Sequence, residues 1–435
     1  MKNILFNSTM TCALCICACA DETTIPKTDE TTSVTTSRLK PSPIECRPDP
    51  SPIEVPTFVE SQIPSGAETD YSLPVSVTIA YINDDPHADI VVSTTFSSSP
   101  DVSTPTSIWI HLGDGDGKFS RRHGPYLVGR GYLPITVVDI DGDGLDDIAI
   151  FHNVAIATPG GTLTETVSVP HHGGVLWADM NNDGLVDILD RRVDELVVRI
   201  GDGTGGFSAE TVSSPVSLST MWSRNILSGD VSGDGVADLV ASDYVPDMSG
   251  RPVPTTLTVF VNNGAGAVVA ESPTLFLGDD IQKFKLDDLN CDGKMDLIYL
   301  SSFYNQFDVR LREEAGWSAA TRQTVVDRGI VWAYESGGTL ASGDVDGNGA
   351  IDVIVAAVSL GDDESGSFSE YGAVTVFLGD GSGNLATVPP VVLHPAEPLA
   401  GPRYVTAGDL NNDGKSDLVV LDSRLGKPLS IWLSE

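Results

Sequence analysis

Asp139-Ile140-Asp141-Gly142-Asp143-Gly144-Leu145-Asp146-Asp147, followed without a break by Ile148-Ala149-Ile150, is the stretch that decides the fold. Its pattern is D-x-D/N-x-D-G-x-x-D ahead of a short apolar run. Near-complete copies start at Asp179, Asp230, Asp288, Asp344 and Asp409. A degenerate copy runs from Tyr81 to Asp89; it keeps Asn83, Asp85 and Asp89 but has Pro86 where the others have glycine. The starts lie 40 to 65 residues apart, a spacing that marks a repeat architecture. The copies are numbered here as loops 1 to 7 in chain order, with Tyr81–Asp89 as loop 1.

Calcium takes six to eight oxygens at roughly 2.3–2.6 Å in a flexible cage. Carboxylates at alternate positions 1, 3 and 5 of a tight loop converge on one point, and a backbone carbonyl at position 7 and the acid at position 9 close the cage. Glycine at position 6 permits the left-handed backbone that carries the chain around the ion. Loop 2 offers Asp139, Asp141, Asp143 and Asp147, and loop 3 offers Asp179, Asn181, Asp183 and Asp187. Loop 4 offers Asp230, Ser232, Asp234 and Asp238, and loop 5 offers Asp288, Asn290, Asp292 and Asp296. Loop 6 offers Asp344, Asp346, Asn348 and Asp352, and loop 7 offers Asp409, Asn411, Asp413 and Asp417. These are about a third of the 61 acidic residues, and such crowded charge repels itself without a cation. About six structural calcium ions are therefore expected, with loop 1 left open because it lacks the first carboxylate and the glycine.

An EF-hand closes its cage with an acid at position 12. Position 12 here is Val92, Ile150, Ala241, Tyr299, Val355 or Val420, with Asp190 the exception, and a β-branched strand follows instead of a helix. The loop therefore joins two strands of a hairpin. Small residues precede it, as in Thr339-Leu-Ala-Ser-Gly343 and Tyr404-Val-Thr-Ala-Gly408, which suits strands crowded at an axis. A third strand ending in a Gly/Asp turn comes next, as in Val198-Arg-Ile-Gly-Asp-Gly-Thr-Gly-Gly-Phe207 and Val376-Phe-Leu-Gly-Asp-Gly381, and then a fourth. Four strands per repeat make the blade of a propeller. The last repeat stops after Leu429-Ser-Ile-Trp-Leu433, one strand short, and Pro56-Thr-Phe-Val-Glu60 lies where the missing strand belongs. The expected fold is all-β: a seven-bladed β-propeller of four-stranded antiparallel blades, the last closed by the N-terminal strand.

Both halves of this repeat resemble the FG-GAP or VCBS family, which also forms the propeller head of integrin α-subunits. The likeness covers roughly residues 57–435. It implies ligand binding on the face opposite the acidic loops. The loops expected there carry Arg130, Tyr132, His171, His172, Arg191, Arg192, Trp222, Arg224, Tyr244, Tyr304, Trp332, Tyr334, Arg403 and Tyr404. They also carry four long inserts, Ser93 to Ser107, Ser242 to Thr255, Val325 to Gly338 and Ser359 to Gly372. Aromatic faces stack on sugar rings and arginine forks grip carboxylates, so a carbohydrate or protein ligand is expected there.

The formal charge of −36 opposes nucleic acid or an anionic membrane surface as a partner. Residues 1–19 read as an export signal, and Ile16-Cys17-Ala18-Cys19 resembles a bacterial lipobox with Cys19 as the lipidated residue; an ordinary cleaved signal is the alternative. Residues 20–56, rich in Thr, Ser and Pro, read as a disordered tether. The expected location is extracellular or on an outer membrane, with the membrane reached only through that lipid and the chain a monomer. Beyond the leader only Cys46 and Cys291 remain, paired or free. The chain has no G-x-S-x-G, H-E-x-x-H or P-loop, and its acid pairs are accounted for as cation ligands. A non-catalytic binding or adhesion module is the favoured reading, and a secreted carbohydrate-active enzyme of polysaccharide-lyase type is the alternative.

Overall fold

In every repeat the second strand is a run of apolar residues, because it is buried on both faces. Leu418 and Val420 point into one core cluster and Val419 and Leu421 into the next. Each strand thus serves two blade–blade joints at once.

The computed structural model describes residues 53–65, 72–96, 105–130, 135–150, 153–164, 167–169, 174–191, 195–210, 212–215, 226–243, 255–271, 274–277, 281–301, 306–325, 340–362, 368–385, 388–394, 402–422 and 429–435. All fall within the compact unit Arg38–Glu435. They form seven antiparallel blades of four main strands each. Blade 1 is typical, with Ser72–Ala80, Asp89–Phe96, Pro105–Leu112 and Arg121–Arg130 paired in sequence order. Blade 4 splits its fourth strand into Val268–Ala270 and Leu275–Phe276, both paired with Thr256–Asn262.

Blade 7 takes Pro402–Gly408, Asp417–Asp422 and Leu429–Ser434 from the C-terminal end of the chain and Phe58–Ile63 from the N-terminal side. The register runs from Phe58 opposite Ser434 to Ile63 opposite Leu429. The Glu435 N–H donates to the Thr57 carbonyl at 2.9 Å, extending the ladder by a residue. Phe58 packs into the core between blades 6 and 7 and Ile63 into that between blades 7 and 1, so the strand serves both joints of its blade. The expected latch is present, two residues further along the chain than Pro56–Glu60.

Seven core clusters lie one at each joint, including that of blade 7 with blade 1, so the ring is closed. The innermost strands end in small residues because the neighbouring blade arrives there. A Cβ on Gly343 would sit 2.6 Å from Ser416 Oγ and 3.3 Å from Ala407 Cβ of blade 7. A Cβ on Gly408 would sit 3.0 Å from Ile79 Cδ1 of blade 1. Gly343→Val should therefore lower stability by about 2 kcal/mol through overpacking, read as a lower denaturant midpoint with an unchanged slope.

Two inserts differ from expectation, and in Ser93 to Ser107 the ladder runs on to Thr95 opposite Thr106. Ser359 to Gly372, expected as a loop, is largely ladder: Asp352–Asp362 pairs with Phe368–Phe377 out to Asp362 opposite Phe368. The polar, glycine-containing sequence hid a hairpin that continues beyond the body of the blade.

Candidate metal centres

The acidic loops all join the first and second strands of their blades, at one end of the strands. Position 9 is the most buried acid of each loop. Asp89, Asp147, Asp187, Asp238, Asp296, Asp352 and Asp417 are all fully buried. One carboxylate oxygen of each accepts the N–H of position 2 of its own loop, at 2.7–3.1 Å. The other accepts a backbone N–H at the end of the third strand: Gly113, Ala157, Gly201, Asn262, Arg312, Gly379 or Ser434, at 2.7–2.9 Å. The acid ties the loop to its blade with two charge-assisted hydrogen bonds. Loop 1 keeps Asp89 for this reason, whatever it does with a cation.

Position 1 closes the loop on itself. Asp139 accepts Gly142 N–H at 2.8 Å and Gly144 N–H at 3.0 Å, and Asp344 accepts Gly347 N–H at 2.7 Å and Gly349 N–H at 2.8 Å. Position 5 then accepts the N–H of position 7, as Asp143 does from Leu145 at 2.9 Å and Asp413 from Lys415 at 2.8 Å. These bonds need two left-handed residues. Position 6 is glycine with positive φ, and position 4 also has positive φ: Gly142, Asn182, Gly233, Cys291, Gly347 and Asn412, at 58° to 81°. Glycine and asparagine are the residues that tolerate this backbone.

In loop 2 oxygens of Asp139, Asp141 and Asp147 lie within 4.8 Å of one another, and in loop 6 so do oxygens of Asp344, Asp346 and Asp352. Oxygens on opposite sides of a calcium ion are separated by about 4.8 Å, twice a ligand distance of roughly 2.4 Å. The donor set therefore fits a calcium ion in these two loops. In loops 3, 5 and 7 the position-3 asparagine amide donates to the position-5 carboxylate, at 2.9 Å, 3.2 Å and 3.0 Å.

The electrostatics point the same way. Burial first, and neighbouring carboxylates after it, raise the position-9 acids; the two backbone N–H bonds oppose the rise. Asp89, Asp147, Asp296 and Asp417 are pushed up to about 7 and Asp352 to about 8, and Asp187 and Asp238 are also raised. Asp346 is raised to about 6, again mainly by burial. A bound divalent cation would reverse this logic by stabilising the carboxylates as anions.

Each loop is also keyed into the next blade, which the sequence reading missed. Position 2 is apolar in every copy, and Ile82, Ile140, Met180, Val231, Leu289, Val345 and Leu410 are all buried in the joint with the following blade. Its carbonyl accepts from that blade: from the N–H of Gly117 in blade 1 for Leu410, and of Gly383 in blade 6 for Leu289. Side chains do the same for Met180 (Asn262 Nδ2, 2.7 Å), Val231 (Arg312 Nε, 3.2 Å) and Val345 (Ser434 Oγ). An unbroken column of I, I, M, V, L, V, L within a polar loop was the available signal.

Most residues assigned to the opposite face lie outside the described residues: Tyr132, His171, His172, Arg192, Trp222, Arg224, Tyr244, Tyr304, Trp332 and Tyr334. The backbones of Arg130, Arg191 and Arg403 lie at strand ends remote from the acidic loops, where Arg130 pairs with Pro105 and Arg191 with Gly174. Tyr404 is a correction. Its side chain is 2% exposed and packs with Ile90, Val92 and Leu429 in the joint of blades 7 and 1, so it is a core residue. An aromatic just inside a strand was read as part of the loop before it.

Cys291 is disulfide-bonded. The other five cysteines, Cys12, Cys15, Cys17, Cys19 and Cys46, lie outside the described residues.

The seven joints and the repeated loop define the class: a β-propeller assembled from hairpin-loop repeats. The FG-GAP-like repeat model matches residues 81–150 and 344–420, each stretch spanning two successive loops. The β-propeller thus carries FG-GAP-like repeats in blades 1–2 and 6–7. No curated protein sequence matches it. Among solved structures, BBS1N in complex with ARL6DN is 12% identical, covering 86% of this chain and 96% of that one at a TM-score of 0.51. An Agrocybe aegerita lectin recognising non-reducing terminal N-acetylglucosamine is 16% identical over 82% of this chain and 86% of its own, with a TM-score of 0.48. The rhamnogalacturonan lyase YesW is 15% identical over 83% and 72%, with a TM-score of 0.30. At these identities the first shows shared fold alone, and the other two carry no argument.

Proposed function

We propose that the chain is an exported, calcium-stabilised binding propeller that presents a protein or glycan ligand site at the end opposite its acidic loops. The observation that carries this reading is the double commitment of the loops. Position 9 fastens each to its own blade and position 2 keys it into the next. With one end committed to ring assembly, the opposite end is free to vary for a ligand, as loops on a rigid scaffold do. Calcium would sit in loops 2 to 7, held by the carboxylates and amides at positions 1, 3, 5 and 9, and would supply charge neutralisation rather than chemistry. Export through residues 1–19, with Cys19 as lipid anchor, belongs to the same proposal. The disulfide at Cys291 supports an oxidising compartment.

The test uses the full chain in calcium, screened on glycan and protein arrays and incubated with acidic polysaccharides. Saturable binding that Trp222→Ala with Trp332→Ala abolishes, at an unchanged thermal midpoint, is the expected result. Cleavage of a polysaccharide, or binding indifferent to both substitutions, overturns the reading.

A further inference from the structure

In two places a lysine at position 7 of one loop lies over position 4 of the loop before it. The stem of Lys294 (loop 5) crosses Gly233 (loop 4), where an added Cβ would come within 2.9 Å of its Cγ and Cε. The stem of Lys415 (loop 7) crosses Gly347 (loop 6), where a Cβ would meet its Cγ at 3.2 Å and its Cε at 3.3 Å. In both places the next residue is locked to the same neighbour. The Met295 N–H donates to the Asp230 carbonyl at 2.9 Å, and the Ser416 N–H to the Asp344 carbonyl at 2.6 Å. The lysines are therefore laid across the neighbouring acidic loop by their own backbone, and glycine at position 4 leaves the room. The loops that follow 2, 3 and 5 have Leu185, Val236 and Ala350 at position 7, which bring no charge.

We propose that Lys294 and Lys415 are built-in counter-charges for loops 4 and 6, stabilising those loops without a cation and weakening their hold on calcium. The second half rests on the proposal that the loops bind calcium. A positive charge beside a divalent site repels the incoming ion and, in its absence, offsets the crowding of the acids. Loops 2 and 6 make an internal comparison. Each brings three carboxylates together, yet loop 6 lies under a lysine and loop 2 is followed by Leu185. Loop 2 then fills before loop 6, and loops 4 and 6 fill last.

The experiment is a calorimetric calcium titration of the chelator-treated full chain, for the parent, Lys415→Met, Lys294→Met and the pair. Methionine keeps the apolar stem over the glycine and removes the charge. Each substitution should tighten one weak site about tenfold at low ionic strength and less in 0.5 M salt, where charges are screened. Unchanged weak-site affinities in the variants overturn the proposal. If the parent binds no calcium at all, the calcium reading falls by itself and the metal-free protein decides the rest. Lys415→Met should then lower the thermal midpoint at low salt but not at high salt, and an unchanged low-salt midpoint overturns the counter-charge.

Discussion

Stripping divalent cations from the folded protein at pH 7.5 should lower its thermal midpoint by about 10 °C, and added calcium should restore it. At tenfold excess over its dissociation constant, each occupied site contributes about 1.4 kcal/mol, so six contribute about 8 kcal/mol. At the usual unfolding entropy per residue, a domain of this size converts that to about 10 °C. The effect grows with pH. The position-9 acids are raised by burial above the usual carboxylate value of 3.8, to about 7 or 8 where they are highest. A raised acid favours the protonated fold, so this stability is present below about pH 4 and is lost as pH rises through 7 to 8. Chelated protein should therefore lose midpoint steadily between those limits, while calcium-loaded protein, its carboxylates held as anions, should lose little. Differential scanning fluorimetry at pH 4.5, 6 and 7.5, with calcium and with chelator, reads both curves. Parallel curves contradict the account.

The second large effect is at Asp89. Replacing it with alanine leaves the N–H groups of Ile82 and Gly113 buried and without their acceptor. Each such loss costs about 1–3 kcal/mol, so Asp89→Ala should cost about 3 kcal/mol or more. Loop 1 lacks the first carboxylate and the glycine, so the cost should be equal in calcium and in chelator. Asp417→Ala breaks the same pair of bonds, to Leu410 and Ser434, and additionally removes a proposed calcium ligand. Its cost should be larger in calcium than in chelator. Urea midpoints of the two variants in both buffers separate the tie from the ligand.

The blade count and the strand order within each blade could be read from the chain, because each is encoded locally. An acidic loop ahead of an apolar run marks a hairpin. The joints were not legible, since their partners lie far apart in sequence. Nothing near Met180 announces that its carbonyl will meet Asn262, or that the Val231 carbonyl will meet Arg312. Position 9 was read only as a ligand because carboxylates at loop spacing suggest an ion first; its two backbone partners required the third strand. Tyr404 was misplaced because loop and strand share the same aromatic and small residues at that boundary.

The central claim is that the acidic loops are cation sockets that hold the ring together. Calcium content by plasma emission spectrometry, on protein chelated, refilled and desalted, tests it most directly. The account predicts about six ions per chain, with one lost in each of Asp139→Ala and Asp344→Ala and none lost in Asp89→Ala. Less than one ion per chain, or an unchanged content in Asp139→Ala and Asp344→Ala, would contradict it.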